Sequence, residues 1–250
     1  MKALLLLLLI SLALALGTGA FAPGAASAEV ARHGGTPEPG SAGEAAPGAS
    51  AAASASAEDE TPADVVELRN VRFEPRLDAQ VPLDLAFQDE TGRPVKLGDY
   101  LGQQPLLLSI NDFTCQDLCP LELQNLVDAM DQVTLRLNSD YKALAISLNP
   151  ANTAQDARQM RDEVVRRYRR PDAPDGADGW HFLTADDKTI HQLTQAVGLN
   201  YAYDAQSKTY AHPVGVVLLT PQGRIARYLS GMDFPANDLR LAIYEASQGK

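Results

Sequence analysis

Cysteine is scarce in this chain. Its 250 residues contain two, Cys115 and Cys119, with three residues between them. A disulfide-stapled scaffold uses more cysteines, spread along the chain. A bridge across so short a loop would also remove little chain entropy. Together these points exclude a structural staple and indicate a reactive or metal-binding pair. Positive charge is in deficit too: 21 Lys and Arg stand against 32 Asp and Glu, a net charge of −11, with a pI of about 4.7. An acidic surface repels a phosphate backbone, which excludes nucleic acid as a partner. The ordinary meaning of the acidity is a solvated surface. Residues 29–64 lack Phe, Tyr and Trp and consist mostly of Ala, Gly, Pro, Ser and Glu. Such a stretch cannot offset the entropy of ordering itself, so it reads as a disordered, flexible tether.

What precedes the tether is the opposite in character. Lys2 supplies a positive charge, Ala3 to Leu16 is almost wholly apolar, and Ala26-Ser27-Ala28 reads as a cleavage site before Glu29. Residues 1–28 have the pattern of a signal peptide. The alternative is an uncleaved membrane anchor, since Ala3 to Ala22 is long enough to span a bilayer. No cysteine follows the apolar run, which excludes a lipid-attached cysteine. Either reading exports the chain, to the periplasm or the outer face of the cytoplasmic membrane.

Residues 65–250 read as one folded domain without internal repeats. Val81 to Gln88 alternates as a strand and returns through Asp89-Glu90-Thr91-Gly92 into Pro94 to Leu97, an N-terminal β-hairpin. Pro105 to Ile110 and Tyr141 to Leu148 are short apolar runs, as expected of buried strands. Trp180 to Leu183 is a third strand. Leu121 to Leu137, Asn152 to Tyr168 and Lys188 to Val197 have helical spacing, the last closed by Gly198. A second hairpin, Pro213 to Thr220 with Arg224 to Leu229, is followed by a helix over Asn237 to Ser247. Strands alternating with helices, then a closing hairpin and helix, predict an α/β thioredoxin-like fold: a central mixed β-sheet flanked by helices.

Cys115 and Cys119 fall at the first strand-to-helix junction, in Asn111-Asp112-Phe113-Thr114-Cys115-Gln116-Asp117-Leu118-Cys119-Pro120. Pro120 suits the first helical position, which places Cys119 at the helix N-cap, where the positive end of the dipole favours thiolate. Asp112 and Asp117 read as loop-stabilising carboxylates, with orientation of a ligand as the alternative. Two sulfurs are an incomplete site, and four histidines are available. His33 lies in the tether, while His181 and His191 fall in a strand start and a helix, where packing or surface roles suit them. His212 enters the strand from Val214 to Leu219. In thioredoxin-like folds this loop faces the cysteine loop and often carries a cis-proline. Pro213 occupies that place, so His212 is predicted to face the sulfurs. Two thiolates and an imidazole form a soft, three-ligand set. Zinc structural sites want four ligands and iron–sulfur clusters more cysteines, so copper fits best, as Cu(I) or Cu(II), one per domain.

Three blocks carry a family resemblance: Cys115-x3-Cys119-Pro120; Gly179-Trp180-His181-Phe182-Leu183-Thr184; and Tyr210-Ala211-His212-Pro213 with Thr220-Pro221-Gln222-Gly223-Arg224. The sequence from about Val71 to Lys250 resembles the Sco/SenC family. That resemblance implies a membrane-tethered domain that binds copper through Cys115, Cys119 and His212. It also implies a partner, the copper-site subunit of cytochrome c oxidase, with other periplasmic copper carriers or thiol reductants as further partners. Many members have proline after the first cysteine, where this chain has Gln116. The reading that follows is a metallochaperone for the dinuclear copper site. The alternative is a thiol–disulfide oxidoreductase using the same two cysteines. A peroxidase is disfavoured, because neither an oxyanion-stabilising arginine nor a Thr-x-x-Cys placement is evident.

Overall fold

The structure, a computed structural model, describes residues 69–249 other than 117 and 206. The expected leader and tether lie outside the described residues. Among these residues no helix is long and apolar enough to cross a membrane.

The elements, in chain order, are β1 (Arg72–Phe73), β2 (Ala86–Asp89), β3 (Pro94–Lys96), β4 (Leu106–Asn111), α1 (Leu118–Gln132), β5 (Lys142–Ser147) and α2 (Ala154–Arg167). They continue with β6 (Trp180–Thr184), α3 (Asp187–Ala196), β7 (Leu199–Asn200), β8 (Ala202–Asp204), β9 (Thr209–Ala211), β10 (Gly215–Leu219), β11 (Ile225–Ser230) and α4 (Ala236–Ser247). One mixed sheet of seven strands runs in the order β11-β10-β4-β5-β6-β2-β3. β4, β5 and β6 are parallel, and β10 and β2 join them antiparallel on either side. A βαβ unit completed by a ββα unit is the thioredoxin-like arrangement that the sequence predicted.

The strand pattern explains the layers. β4 is buried along its whole length, and its side chains alternate between two cores, as a period of two requires. Leu107 meets α1, α2 and α4 on one face, through residues such as Leu123, Met160 and Ile243. Leu106, Leu108 and Ile110 meet Ile190 and Leu193 of α3 on the other. Each such side chain contributes about 1.5–3 kcal/mol on burial. α2 opens with a reciprocal cap: Thr153 Oγ1 accepts from the Asp156 amide, and the Thr153 amide donates to Asp156. α3 ends at Gly198, whose φ of +63° suits a helix terminus, and a Cβ there would collide with the Glu74 carbonyl oxygen.

Two local expectations are corrected, and one hairpin is new. The strand predicted from Val81 shrinks to Ala86–Asp89. Leu83 and Leu85 give their carbonyls to Gly98 and Leu97, and the Val81 amide bonds to Gly223, so the early backbone pairs with turns rather than a ladder. α1 stops at Gln132 rather than Leu137. Leu137 is buried, but Asn138 at φ +71° reverses the chain, and its amide bonds to Tyr141. The hairpin of β8 and β9 was not foreseen: its residues are at most partly buried, and Tyr203 and Tyr210 stack on each other, with Tyr210 also against Tyr201.

Candidate metal centre

The site forms at the C-terminal end of β4. Because β10 runs antiparallel beside it, with Val216 opposite Ser109, the residues entering β10 lie next to those leaving β4. This register brings the His212 loop to the cysteine loop.

The cysteine loop is held from outside. Asp112 Oδ1 accepts from the Thr114 amide at 2.9 Å and hydroxyl at 2.7 Å, and its Oδ2 accepts from Asn149 Nδ2 at 3.0 Å. Asn152 Oδ1 accepts from the Phe113 amide at 3.0 Å and from Ser147 at 2.6 Å, while its Nδ2 donates to Thr114 Oγ1 at 3.0 Å. Asp112 therefore braces the loop. Asp117 lies outside the described residues.

Cys115 is half-buried and Cys119 is 3% exposed, and both are free thiols. α1 already begins at Leu118, so Cys119 sits inside the first turn, not at the N-cap, and Pro120 follows within that turn. The expectation of a favoured thiolate is corrected as well. Burial pushes the Cys119 thiol far above its ordinary value. The Asp112 amide pulls the other way, but the neighbouring Cys115 thiol adds to the rise. Desolvation of a charged sulfur is the largest cause of the rise.

His212 is half-buried, and its Nε2 stands 3.2 Å from Cys119 Sγ. Its Nδ1 lies 3.1 Å from the Pro213 carbonyl oxygen. A carbonyl only accepts, so Nδ1 carries the hydrogen. Burial lowers the His212 pKa, against smaller opposing effects of that carbonyl and Asp112. The imidazole is thus neutral, with its bare nitrogen aimed at the sulfur, and the Cys119 S–H donates to it. No peptide bond among the described residues is cis. Pro213 is trans, contrary to the analogy used to place it. The hydrogen bond from the ring to the Pro213 carbonyl, made in this isomer, orients the imidazole.

The other histidines lie elsewhere. His181 Nδ1 is 3.3 Å from Glu90 Oε1, and its ring packs on Tyr100. His191 is exposed on α3 beside Asp187. His33 lies outside the described residues. Among the described residues, no three His, Cys, Asp or Glu side chains are gathered as a ready-made metal centre. Cys119 and His212 are in contact, and the Cys115 thiol lies close enough to raise the Cys119 pKa. The chemistry of the donors fits a soft metal ion.

One group went unnoticed in the sequence. Glu122, 1% exposed, accepts from Asn111 Nδ2 at 2.8 Å and from the Gly215 amide at 3.0 Å. Burial raises its pKa to about 8 against the pull of those two hydrogen bonds. The signal was available: Glu122 occupies the apolar face of α1, three residues after Cys119 and one before Leu123.

A family model described as SCO1/SenC matches residues 74–244. No curated protein matches the chain. Among solved structures, one described as a putative electron transfer protein from Aquifex aeolicus is 22% identical, with a TM-score of 0.60 over 69% of this chain and 95% of that one. ScoI from Arabidopsis thaliana, solved with copper bound, is 17% identical, with a TM-score of 0.53 over 70% of this chain and 100% of that one. BsSco, described as a Sco-family cytochrome c oxidase assembly protein with a disulfide switch, is 19% identical, with a TM-score of 0.55 over 72% and 99%. At these identities the likeness establishes a shared fold.

Proposed function

The chain belongs to the SCO1/SenC family, and on that premise we propose that it is an exported copper-binding protein serving assembly of the dinuclear copper site of cytochrome c oxidase. Cys115, Cys119 and His212 would hold the metal. The observation that carries this reading is the unprotonated Nε2 of His212, 3.2 Å from Cys119 Sγ, with Nδ1 anchored to a backbone carbonyl. This is the arrangement by which proteins orient a histidine ligand. The relative from Arabidopsis thaliana solved with copper supports the choice of metal. Both thiols must lose their protons for their sulfurs to bind. The half-buried Cys115 leaves one side of the site open to an incoming thiolate, which suits ligand exchange with the oxidase subunit. The test is a Cu(I) competition titration on the reduced protein. His212→Ala removes a ligand outright and is expected to weaken binding by at least the roughly 10-fold that losing an orienting partner costs, and an unchanged affinity would refute the ligand set.

Two free thiols on one loop, close enough for Cys115 to raise the Cys119 pKa, support a second reading, a thiol–disulfide reductase. The more exposed Cys115, as thiolate, would attack a substrate disulfide and release one substrate thiol. Cys119, on losing its proton, would then displace the other and close a Cys115–Cys119 disulfide. The substrate gains two electrons and two protons, and the protein loses them. Reductase activity that survives His212→Ala while copper affinity falls would separate the two roles.

A further inference from the structure

Glu122 is a carboxyl group buried with no cation paired to it among the described residues. Burying such a group is costly unless hydrogen bonds compensate, and stability alone is better served by an apolar side chain. Its placement indicates what it does. One oxygen accepts from Asn111, the last residue of β4 before the cysteine loop. The other accepts from the amide of Gly215, three residues after His212. Glu122 itself lies one helical turn beyond Cys119, on the same face of α1. A single side chain therefore ties together the three segments that carry the sulfur, the cysteine loop and the imidazole. The His212 loop is otherwise held at its two ends, where Ala211 pairs with Ala202 and Gly215 with Ser230; between them the Val214 carbonyl accepts from Gly231 at 2.9 Å, His212 bonds to its own neighbour Pro213, and the Gly215 bond to Glu122 ties the loop to α1. Gly215 has a φ of +146°, and a Cβ there would stand 2.5 Å from the Leu229 carbonyl oxygen. The backbone at the tie point is thus confined as well.

We propose that Glu122 is a positioning residue for this site: by bonding the Gly215 amide it pins the His212 loop to the helix bearing Cys119, and so fixes the imidazole against the sulfur. The inference rests on the reading that Cys119 and His212 hold copper. Glu122 makes no hydrogen bond to Cys119 or His212 and positions the imidazole through the loop, while its charge adds a lesser rise to the Cys119 pKa. Glutamine keeps the necessary geometry, since its Oε1 accepts from Gly215 and its amide donates to Asn111 Oδ1, a buried oxygen without a partner, once the Asn111 amide is turned over. Methionine fills the same space and keeps an apolar core, but cannot hold the Gly215 amide.

The test combines Glu122→Met, Glu122→Gln and His212→Ala in the full chain, reading Cu(I) affinity by competition titration. We expect Glu122→Met to weaken binding about 10–100-fold, the range for losing a group that orients a metal ligand, and Glu122→Gln to restore it to within about threefold. In the His212→Ala background Glu122→Met should change affinity less than about threefold, because the group it positions is gone. Nitrogen NMR of the metal-free protein gives an independent readout. His212 should show the Nδ1-protonated form in the wild type and in Glu122→Gln, and a mixture of tautomers in Glu122→Met. If His212→Ala weakens binding while Glu122→Met leaves both affinity and tautomer unchanged, the positioning role is wrong and the copper reading stands. If His212→Ala itself has no effect, the copper reading fails, and this inference with it. An equal loss from Glu122→Met with and without His212 would show a general loosening of the fold and overturn the role.

Discussion

Glu122 should make the stability of this domain fall as pH rises, and replacing it with glutamine should remove that fall. In the unfolded chain a glutamate loses its proton near pH 4.5; in the folded chain burial holds the proton until about pH 8. Between these values the folded state binds more protons than the unfolded state, so its stability decreases with increasing pH. The contribution is fully present below about pH 4.5 and lost by about pH 8. Three and a half pKa units at 1.36 kcal/mol each set a ceiling of about 5 kcal/mol. Relaxation around the new charge reduces the expected loss to about 2–4 kcal/mol. The groups facing Glu122 are the Asn111 amide and the Gly215 N–H, with Cys119 one turn away on the same helix. None is a cation that would offset the buried charge. Glu122→Gln has no proton to lose there and resembles the neutral acid in shape. Urea unfolding of the reduced, metal-free protein at pH 5 and pH 8.5 measures the effect. The two proteins should be about equally stable at pH 5, and the variant more stable at pH 8.5 by about 2–4 kcal/mol. A difference between them that stays constant across this range would refute the argument that Glu122 is held neutral by burial.

Two further outcomes follow from the geometry. Gly198→Ala places a Cβ against the Glu74 carbonyl at φ +63° and should cost about 1–3 kcal/mol in denaturant unfolding; an unchanged midpoint would contradict the helix terminus described here. Asn152→Ala removes the bonds to Phe113, Thr114 and Ser147, which should destabilise the domain by about 1–3 kcal/mol and weaken Cu(I) binding in the same titration. A variant as stable as the wild type would show that the Asn152 brace contributes nothing.

The likeness to a thioredoxin fold was legible because the pattern is strong in the elements that matter. β4, β5 and β10 are continuous apolar runs bounded by turns, and α1 and α2 carry their apolar residues at helical spacing. Both reflect burial of one face or two, which composition records directly. The boundaries were less legible. Val81 and Leu85 are buried as strand residues would be, yet their backbones pair with turns far away in sequence. Leu137 continues the apolar spacing of α1 but lies beyond the helix, because Asn138 reverses the chain. Apolar spacing reports burial, and hydrogen-bond partners decide the element.

The sequence by itself singled out Cys115 and Cys119, since only two cysteines exist and they occupy a strand-to-helix junction. It also singled out His212 among four histidines by its position before a strand. Tertiary structure alone decided the rest. The antiparallel register of β10 against β4 brings Nε2 of His212 to 3.2 Å from Cys119 Sγ, a proximity across 93 residues that no local pattern encodes. Burial raises the Cys119 pKa where its place near a helix terminus predicted a favoured thiolate, because desolvation depends on everything packed around the sulfur, not on its place in one helix. It likewise made a carboxyl group at an apolar position of α1 into the link between three segments. Local sequence sets which groups are available, and the packing of distant segments sets their distances and their protonation.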